Sequence, residues 1–319
     1  MTGAINTVTG AITPEQLGPA LMHEHVFVQY GGPSPDCIRP GARRDEIISV
    51  CTGYIEQIRE LGIETLVDPT TTDLGRNPLL LAELAAKTGL KIICATGIYS
   101  TATYVKFRER LGGPDAVAAL FIRELTEGIG DTGVKAGIIK VVTGAPAITP
   151  IEHELLLAAA KASAATGAPV ITHTEGILGE EQQKILTGAG VPAHRILVGH
   201  SCLSKSFDYH RRIVQGGSYL AFDRFGMPDM PDEVRAASLL KLLETGCASR
   251  LMVSHDSVWY WVDGPKIGAG AYKNWIPTNF FTRIIPMLSY GGATDEHIST
   301  MLRDNPRKFF SGERPEPII

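Results

Sequence analysis

Two histidines near the start of the chain have the spacing of a metal-binding pair. His23 and His25 flank Glu24 inside an apolar stretch that predicts a β-strand. Side chains alternate along a strand, so both imidazoles would face one side while Glu24 faces the other. Two neutral imidazoles on one face can ligate a single divalent metal ion. A lone pair of this kind is as often two hydrogen-bonded core histidines, so the interpretation needs support from elsewhere in the chain.

Further ligand-type side chains end four later apolar runs, and this pattern supplies that support. His255 and Asp256 are adjacent, so a regular strand would point only one of them inward, and the sequence leaves open which one. Asp256 suits a metal ligand that also accepts a proton, whereas His255 could orient another ligand. The side chains at these four strand ends are Lys140, His173, His200 and the pair His255 and Asp256.

Lys140 is the least expected member of this set. Its neighbours on both sides are isoleucine and valine, so its ammonium would be desolvated, which lowers the pKa of the amine. An unprotonated amine can add CO₂ and form a carbamate, a carboxylate-like ligand able to bridge two metal ions. The alternatives are that Lys140 extends to the solvent at the barrel mouth or pairs with Asp256.

The elements that must position these residues repeat one pattern, in which an amphipathic helix ends at a glycine before a short apolar strand. The predicted helices are 43–61, 77–89, 114–128, 150–167, 180–190, 207–217 and 231–246, and the strands that follow them are 65–68, 91–96, 137–142, 169–173, 195–200, 219–222 and 251–254. With an opening strand over 19–28, these make eight parallel strands. Residues 279–291 and 295–310 are predicted to be further helices, the first kinked at Pro286.

Eight regular βα units predict a closed (β/α)₈ TIM barrel, and an open doubly wound sheet is the alternative. We expect residues 1–319 to form a single domain, with a short N-terminal extension and a C-terminal helix. The active sites of such barrels lie at the carboxyl ends of the strands, where the ligand-type residues occur. Four histidines, a lysine and an aspartate are enough for two divalent ions with room for a bridging hydroxide, which favours hydrolysis.

Composition narrows the possible partners and the compartment. The chain has 30 Lys+Arg against 34 Asp+Glu, a net charge of −4, so nucleic acid and membrane partners are not expected, whereas a small-molecule substrate is. No targeting sequence or membrane span is recognisable. The cysteines never form a Cys-x-x-Cys pair, which predicts a reducing, cytoplasmic location. They are Cys37, Cys51, Cys94, Cys202 and Cys247.

The whole constellation resembles the phosphotriesterase family of the amidohydrolase superfamily. The segments that carry the resemblance are 21–26, 137–140, 172–174, 198–200, 254–256 and 304–309. The resemblance implies that His23, His25 and Asp256 bind one metal ion and that His173 and His200 bind the other. It also implies that carboxylated Lys140 and a hydroxide bridge two divalent ions, zinc with cobalt, manganese or iron as alternatives, and that the chain forms a homodimer.

Within that family, residues 97–99 and 223–226 resemble segments of the phosphotriesterase-like lactonases. The resemblance implies a lactonase, acting on acyl homoserine lactones or on γ- and δ-lactones, with promiscuous phosphotriesterase activity. The bridging hydroxide would attack the ring carbonyl, while Tyr99 and one metal ion polarise its oxygen. Arg224 would orient the substrate and Asp256 would accept the proton. A phosphotriesterase, or another ester or amide hydrolase of the superfamily, is the alternative.

The substrate end departs from the lactonase pattern. Residues 226–231 form a shorter loop, and residues 257–261 are larger than the family pattern leads us to expect. Aromatic residues in the long segment 256–279 predict an apolar wall, although some could instead close the barrel mouth or form a dimer contact. We expect Trp259, Trp261 and Trp275 to contact the substrate.

Two hypotheses from other classes compete with the metal hydrolase. Residues 199–203 nearly form a nucleophile elbow with Ser201 as nucleophile, but Leu203 occupies the final glycine position. A serine hydrolase would also leave Lys140 and the first two histidines without a role. A protein that keeps the metal site but only binds its ligand is the third possibility.

Overall fold

The computed structural model describes residues 3–30, 43–262, 264–316 and 318. Cys37 therefore lies outside the described residues. A short antiparallel hairpin, β1 (Ile5–Thr7) and β2 (Gly10–Ile12), precedes the barrel. No helix in the described part of the chain is long and apolar enough to cross a membrane.

Parallel strands follow one another around the barrel in chain order, each hydrogen-bonded to the next. This confirms the predicted (β/α)₈ barrel. The eight strands of the continuous sheet are β3 (Ala20–Leu21), β5 (Thr65–Asp68), β6 (Lys91–Gly97), β7 (Ile138–Val142), β8 (Val170–His173), β9 (Ile196–Val198), β10 (Tyr219–Phe222) and β11 (Leu251–Val253).

The first and last strands close the barrel beyond that sheet. Strand β4 (His25–Val28) pairs in parallel with β12 (Val258–Trp261). Two further hydrogen bonds join the same segments at the start of these strands. The amide of Asp256 donates to the carbonyl of His23 at 2.9 Å, and the amide of His25 donates to the carbonyl of Ser257 at 2.9 Å. The seam of the barrel is therefore formed by the segments that contain predicted metal ligands.

The predicted opening strand over 19–28 is broken in the structure. Residues Met22–Glu24 have no regular strand structure and separate β3 from β4. Ala20 and Met22 both belong to the apolar cluster inside the barrel, so strict alternation would turn His23 away from the interior. The irregular segment resets the alternation, which allows both His23 and His25 to face the cavity.

Seven predicted helices are present with small shifts at their ends. They are α1 (Arg44–Glu60), α2 (Pro78–Thr88), α4 (Pro114–Thr126), α5 (Pro150–Thr166), α6 (Gly179–Gly188), α7 (Phe207–Gln215) and α8 (Asp232–Glu244). An additional helix, α3 (Thr101–Leu111), follows the third barrel strand and begins at the Ser100 cap. Only Tyr104 and Phe107 are buried in α3, so its apolar face is too narrow to stand out in the sequence.

The two C-terminal helices are interrupted at prolines. A π-helical turn, Phe280–Ile284, precedes α9 (Ile285–Tyr290), which has Pro286 at its start. The second predicted helix divides in the same way, with α10 (Asp295–Ser299), a π turn and then α11 (Asn305–Ser311), which has Pro306 at its start. Proline lacks an N–H and crowds the preceding turn, so a wider turn before it is the expected irregularity.

Apolar side chains fill the barrel interior below the site. The inward positions of neighbouring strands are occupied by aliphatic residues, and Phe309 and Phe310 of α11 join the same cluster. On β7 and β8 the interior residues are Ile138 and Ile171. Lys140 and His173 lie two positions further along these strands. Because side chains alternate along a strand, both point into the upper part of the barrel.

Candidate metal centre

One cavity at the carboxyl ends of the strands brings the predicted ligands together. Its volume is about 120 Å³, several times the minimum that a single water needs. Polar side chains line its floor and mostly apolar ones line its walls. The lining includes all six predicted ligands, namely His23, His25, Lys140, His173, His200 and Asp256.

Asp256 is the centre of this group. Its Oδ1 lies 3.1 Å from Nε2 of His25 and 3.2 Å from Nε2 of His23. Its Oδ2 lies 3.8 Å from Nε2 of His200. Donor atoms of His23, His200 and Asp256 all lie within 4.8 Å of one another, which is close enough for one cation to contact all three.

His173 and His200 form the other side of the group. Nδ1 of His173 lies 2.8 Å from Nε2 of His200, and the two rings are nearly perpendicular at 84°. Burial lowers the pKa of both imidazoles, that of His173 to about 4. Two neutral imidazoles with converging nitrogens are suitable ligands for a divalent ion.

Lys140 is enclosed in the floor of the cavity. The residue is 1% exposed, and its Nζ lies 3.3 Å from Nε2 of His23 and 3.4 Å from the carbonyl of Thr172. Burial lowers the pKa of the amine to about 8, against the opposing effect of Asp256. The predicted alternative in which Lys140 extends to solvent is wrong, because the side chain is buried inside the barrel. A side-chain carbon at Gly97 would overlap the Lys140 carbonyl, so only glycine fits beside it.

Asp223 links two of the histidines from behind. Its Oδ2 lies 2.7 Å from Nδ1 of His23, and its Oδ1 lies 3.0 Å from Nδ1 of His200. The amide of His200 also donates to Oδ1 at 2.9 Å. Sequence reasoning missed this role, although a carboxylate directly after the seventh barrel strand was the available signal. A buried carboxylate in this position fixes the ring orientation and tautomer of both imidazoles.

Thr70 and Asp68 hold His25 in a similar way. Thr70 Oγ1 lies 2.7 Å from Nδ1 of His25. The carboxylate of Asp68 in turn accepts the amides of Thr70 at 2.9 Å and Val26 at 3.2 Å. Burial raises the pKa of Asp68, while the charge of His25 opposes the rise. Neither residue is marked by a pattern in the sequence.

Two of the gathered residues have a backbone conformation that side chains rarely adopt. His200 has φ 55° and Asp256 has φ 53°, both in the left-handed region. Such conformations cost about 1–3 kcal/mol each and persist where the surrounding structure enforces them. Each residue lies just beyond a barrel strand, and the turn directs its side chain into the cavity.

The choice between His255 and Asp256 is resolved by their contacts. Nδ1 of His255 lies 2.7 Å from Oε1 of Glu24, and its Nε2 accepts the amide of Phe280 at 2.9 Å. Both ring nitrogens are therefore engaged away from the cavity. For Asp256, burial alone would raise the pKa, but the imidazoles of His23 and His200, the hydrogen bond with His25 and the guanidinium of Arg224 hold it well below its ordinary range. The carboxylate is ionised at neutral pH.

Tyr99 and Arg224 lie beside the predicted metal ligands. Both line the cavity, and the Tyr99 ring meets the His173 ring edge-on at 5.1 Å between centroids. Nε of Arg224 lies 3.2 Å from Oδ2 of Asp256, and its Nη1 lies 3.2 Å from Oδ2 of Asp229. The guanidinium thus occupies a fixed place between two carboxylates.

The aromatic wall is formed by only part of the predicted set. Trp261 and Trp275 line the cavity, whereas Trp259 does not. Trp259 precedes Trp261 by two positions on β12, but its ring packs on Tyr54 of α1 at 5.9 Å and its Nε1 donates to Ser257 Oγ at 3.0 Å. The prediction for Trp259 therefore has to be corrected. Lining residues that the sequence analysis missed are Val28, Tyr30, Leu74, Met227 and Val258.

Ser201 is not arranged as a nucleophile. It is fully buried, and its Oγ donates to the carbonyl of Val198 at 2.8 Å. Nε2 of the nearby His210 lies 2.8 Å from the backbone carbonyl oxygen of Ser201, so it hydrogen-bonds to the backbone and not to the hydroxyl. Ser201 lies in a short 3₁₀ turn, Ser201–Leu203, so the strained strand-to-helix elbow of a serine hydrolase is not formed.

The barrel and the cluster of imidazoles and carboxylates at its carboxyl end define a metal-dependent hydrolase that acts on ester bonds. The sequence model of the phosphotriesterase family matches residues 3–310. The chain belongs to the phosphotriesterase family.

Individual relatives agree with this assignment. The chain is 35% identical over 316 residues to the "Phosphotriesterase homology protein" of Mycobacterium tuberculosis, covering 96% of this chain and 97% of that protein. It is 32% identical over 315 residues to the "Aryldialkylphosphatase" of Saccharolobus solfataricus, covering 94% and 97%. A crystal structure of a mutant "PTE-like lactonase" from Deinococcus radiodurans superposes with a TM-score of 0.88 at 38% identity, covering 96% and 99% of the two chains.

Proposed function

We propose that this enzyme opens lactone rings, such as acyl homoserine lactones or γ- and δ-lactones, and hydrolyses phosphotriesters as a slower side reaction. The observation that supports this proposal most directly is that Tyr99, Arg224 and Asp256 share one cavity with the imidazole cluster. The similar Deinococcus protein is described as a lactonase, and the similar Saccharolobus protein as an aryldialkylphosphatase. A phosphotriesterase with weak lactonase activity is the second candidate.

The donor set fits two divalent cations. On this proposal His23, His25 and Asp256 would hold one ion, His173 and His200 would hold the other, and Lys140, once carboxylated, would supply a further anionic ligand. Burial supports carboxylation of Lys140, because it lowers the pKa of the amine to about 8 and CO₂ adds only to the unprotonated amine. Zinc suits nitrogen and oxygen ligands, and cobalt, manganese or iron are alternatives. When bound, such ions supply an activated water and polarise the substrate carbonyl.

The chain's own residues would complete the reaction. Asp256 is ionised and is placed to accept the proton that the attacking water loses. Burial raises the pKa of Tyr99, so its phenol stays protonated and can donate a hydrogen bond to the developing oxyanion. Burial opposes the charge of Arg224, but Asp256 raises the pKa of the guanidinium, so Arg224 keeps its charge and can orient a polar group of the substrate. The apolar wall with Trp261 and Trp275 would accommodate an acyl or aromatic substituent.

A substrate panel tests the proposal. Purified enzyme is assayed with acyl homoserine lactones, simple γ- and δ-lactones, aryl esters and organophosphate triesters, before and after chelation. We expect lactones to give the highest kcat/KM, activity to disappear with the metal, and Ser201→Ala to remain active. Faster turnover of phosphotriesters would favour the second candidate. A protein that retains metal but hydrolyses none of the panel would instead be a binding protein.

The same proposal includes the assembly and location of the chain. We expect residues 1–319 to fold as one hydrolase domain, to form a homodimer and to work in the cytoplasm. In support of a reducing compartment, the four cysteines in the described residues are buried and unpaired. Light scattering coupled to gel filtration tests the dimer, and a fully active monomer would contradict it. Limited proteolysis tests the single domain. If the chain is one domain, no stable fragment smaller than the barrel should accumulate.

A further inference from the structure

The four histidines of the site differ in how their outer nitrogens are held. Asp223 serves His23 and His200, and Thr70 serves His25; both of these partners are buried. His173 is different because its outer partner lies at the surface. Its Nε2 lies 3.0 Å from Oε1 of Glu175, a side chain that is 49% exposed.

The turn that carries Glu175 has a fixed course. Thr174 Oγ1 donates to the carbonyl of Gly199 at 2.9 Å and accepts the amide of Gly176 at 3.1 Å. Gly176 has φ 78°, and a side-chain carbon there would lie 2.8 Å from Cβ of Leu203. The backbone on both sides of Glu175 is thus held against the next barrel strand, so the carboxylate can reach back to His173.

Apart from the contact of its Nδ1 with Nε2 of His200, the His173 ring makes no further polar contact among the described residues that would define its rotation. Gln182 binds the backbone carbonyl of His173 at 2.7 Å, and Tyr99 meets the ring edge-on at 5.1 Å between centroids. Neither contact distinguishes Nδ1 from Nε2 as the nitrogen that faces His200. Among the described contacts only the Glu175 carboxylate makes that distinction, by accepting a hydrogen bond from Nε2–H.

We propose that Glu175 is a positioning residue that orients His173 so that its Nδ1 lone pair faces the cation shared with His200. This inference rests on the proposed function, which assigns a cation to that pair. The sequence alone does not indicate this role, because Glu175 is an exposed glutamate that simply follows His173 by two positions. The site that His173 would share with His200 therefore depends in part on a contact at the surface, whereas the contacts that hold His23 and His25 are buried.

Metal retention tests the proposal without relying on turnover. Glu175→Ala, Glu175→Gln and the control Glu181→Ala, an exposed glutamate of α6, are dialysed against graded chelator. Bound metal per chain is then measured by elemental analysis. We expect Glu175→Ala to lose one of two ions at about 10- to 100-fold lower chelator concentration than the unchanged protein. Glu175→Gln keeps an acceptor oxygen and should retain most of the metal, and Glu181→Ala should match the unchanged protein.

Cobalt-substituted protein provides a second readout. The visible spectrum should change for one of the two ions in Glu175→Ala, and the same ion should be lost in His173→Ala, while circular dichroism reports whether each variant is folded. Glu175→Ala with unchanged metal retention and spectrum would overturn the proposal, as would equal loss in Glu175→Ala and Glu175→Gln. If the unchanged protein retains no metal at all, the proposed function fails rather than the role of Glu175.

Discussion

Nζ of Lys140 lies 3.3 Å from Nε2 of His23 in the floor of the cavity, where both residues are 1% exposed. Two basic groups so close together and so well shielded from water repel each other if both are protonated. The arrangement is favourable when at most one of the two groups is protonated, so that one nitrogen can donate a hydrogen bond to the other. This relationship bears on the proposal that Lys140 is carboxylated and on the first two predictions.

Lys140→Ala should remove the bridging ligand. We expect loss of bound metal and a fall in kcat/KM of about 100-fold or more, because both ions lose a shared ligand. Adding a short carboxylic acid should restore part of the activity by occupying the vacated space. Elemental analysis and lactone assays measure the two effects, with Lys184→Ala, an exposed lysine of α6, as the matched control. Full activity in Lys140→Ala would refute the bridge.

Reconstitution of metal-free protein should depend on pH through Lys140. CO₂ adds only to the unprotonated amine, and burial lowers the pKa of that amine to about 8. At fixed dissolved CO₂, the rate of metal uptake should therefore rise about tenfold per pH unit below the pKa and level off above it. Lys140→Ala supplied with a carboxylic acid should lack the inflection. A flat profile for the unchanged protein would show that carboxylation does not limit assembly.

Asp223→Asn should weaken metal binding without touching a ligand. An amide cannot accept hydrogen bonds from both His23 and His200 at once with the strength of a carboxylate. We expect chelators to remove metal at about 10- to 100-fold lower concentration, with kcat reduced once metal is restored. Asp208→Asn, an exposed aspartate of α7, is the control. Unaltered chelator sensitivity in Asp223→Asn would mean that the two imidazoles are held by the barrel alone.

Arg224 should affect the substrate and spare the metal. Arg224→Met is expected to lower kcat/KM for lactones by about 10- to 100-fold, the equivalent of one or two charged hydrogen bonds, with metal content unchanged. Asp229→Asn should act in the same direction and less strongly, because Asp229 holds Arg224 and is itself bound by the buried Arg235. Loss of metal from Arg224→Met would show that the guanidinium maintains the metal site rather than the substrate.

Two tryptophans of β12 offer an internal comparison. Trp261 lines the cavity, so Trp261→Phe should change KM for long-chain or aromatic lactones while stability stays nearly constant. Trp259 packs on Tyr54 outside the cavity, so Trp259→Phe should lower the free energy of unfolding by about 1–3 kcal/mol with KM unchanged. Chemical denaturation and substrate series distinguish the two. An equal effect of both substitutions on KM would contradict the different placement of the two rings.

The architecture could be predicted because the signals for each strand and helix lie within its own short stretch of sequence. Strands such as β8 are buried on both faces and appear as short apolar runs, and helices such as α5 carry their own signals, here Thr149 as cap, Pro150 at the start and Gly167 at the end. The helix α3 was missed because few of its residues are buried. The break between β3 and β4 was missed because it depends on which way His23 must point once the barrel closes.

The candidate metal ligands could be predicted from the sequence, but the residues that hold those ligands in place could not. Side chains that end apolar strands are recognisable one by one, and the barrel brings them together. Asp223 reaches His23 across 200 positions of sequence, and no local pattern marks that contact. Trp259 and Trp261 look equivalent in sequence, since strand alternation would place both on one face, and only the structure shows that Trp259 packs on Tyr54 while Trp261 lines the cavity.

The closing seam of the barrel has a consequence for how this enzyme can change over evolutionary time. The hydrogen bonds that join its two edges involve the backbone of His23, His25 and Asp256. Rearranging those segments to suit a new reaction would therefore also open the cylinder. Adaptation to new substrates is left to positions such as Met227 and Trp261, which border the cavity but are not needed to complete the circle.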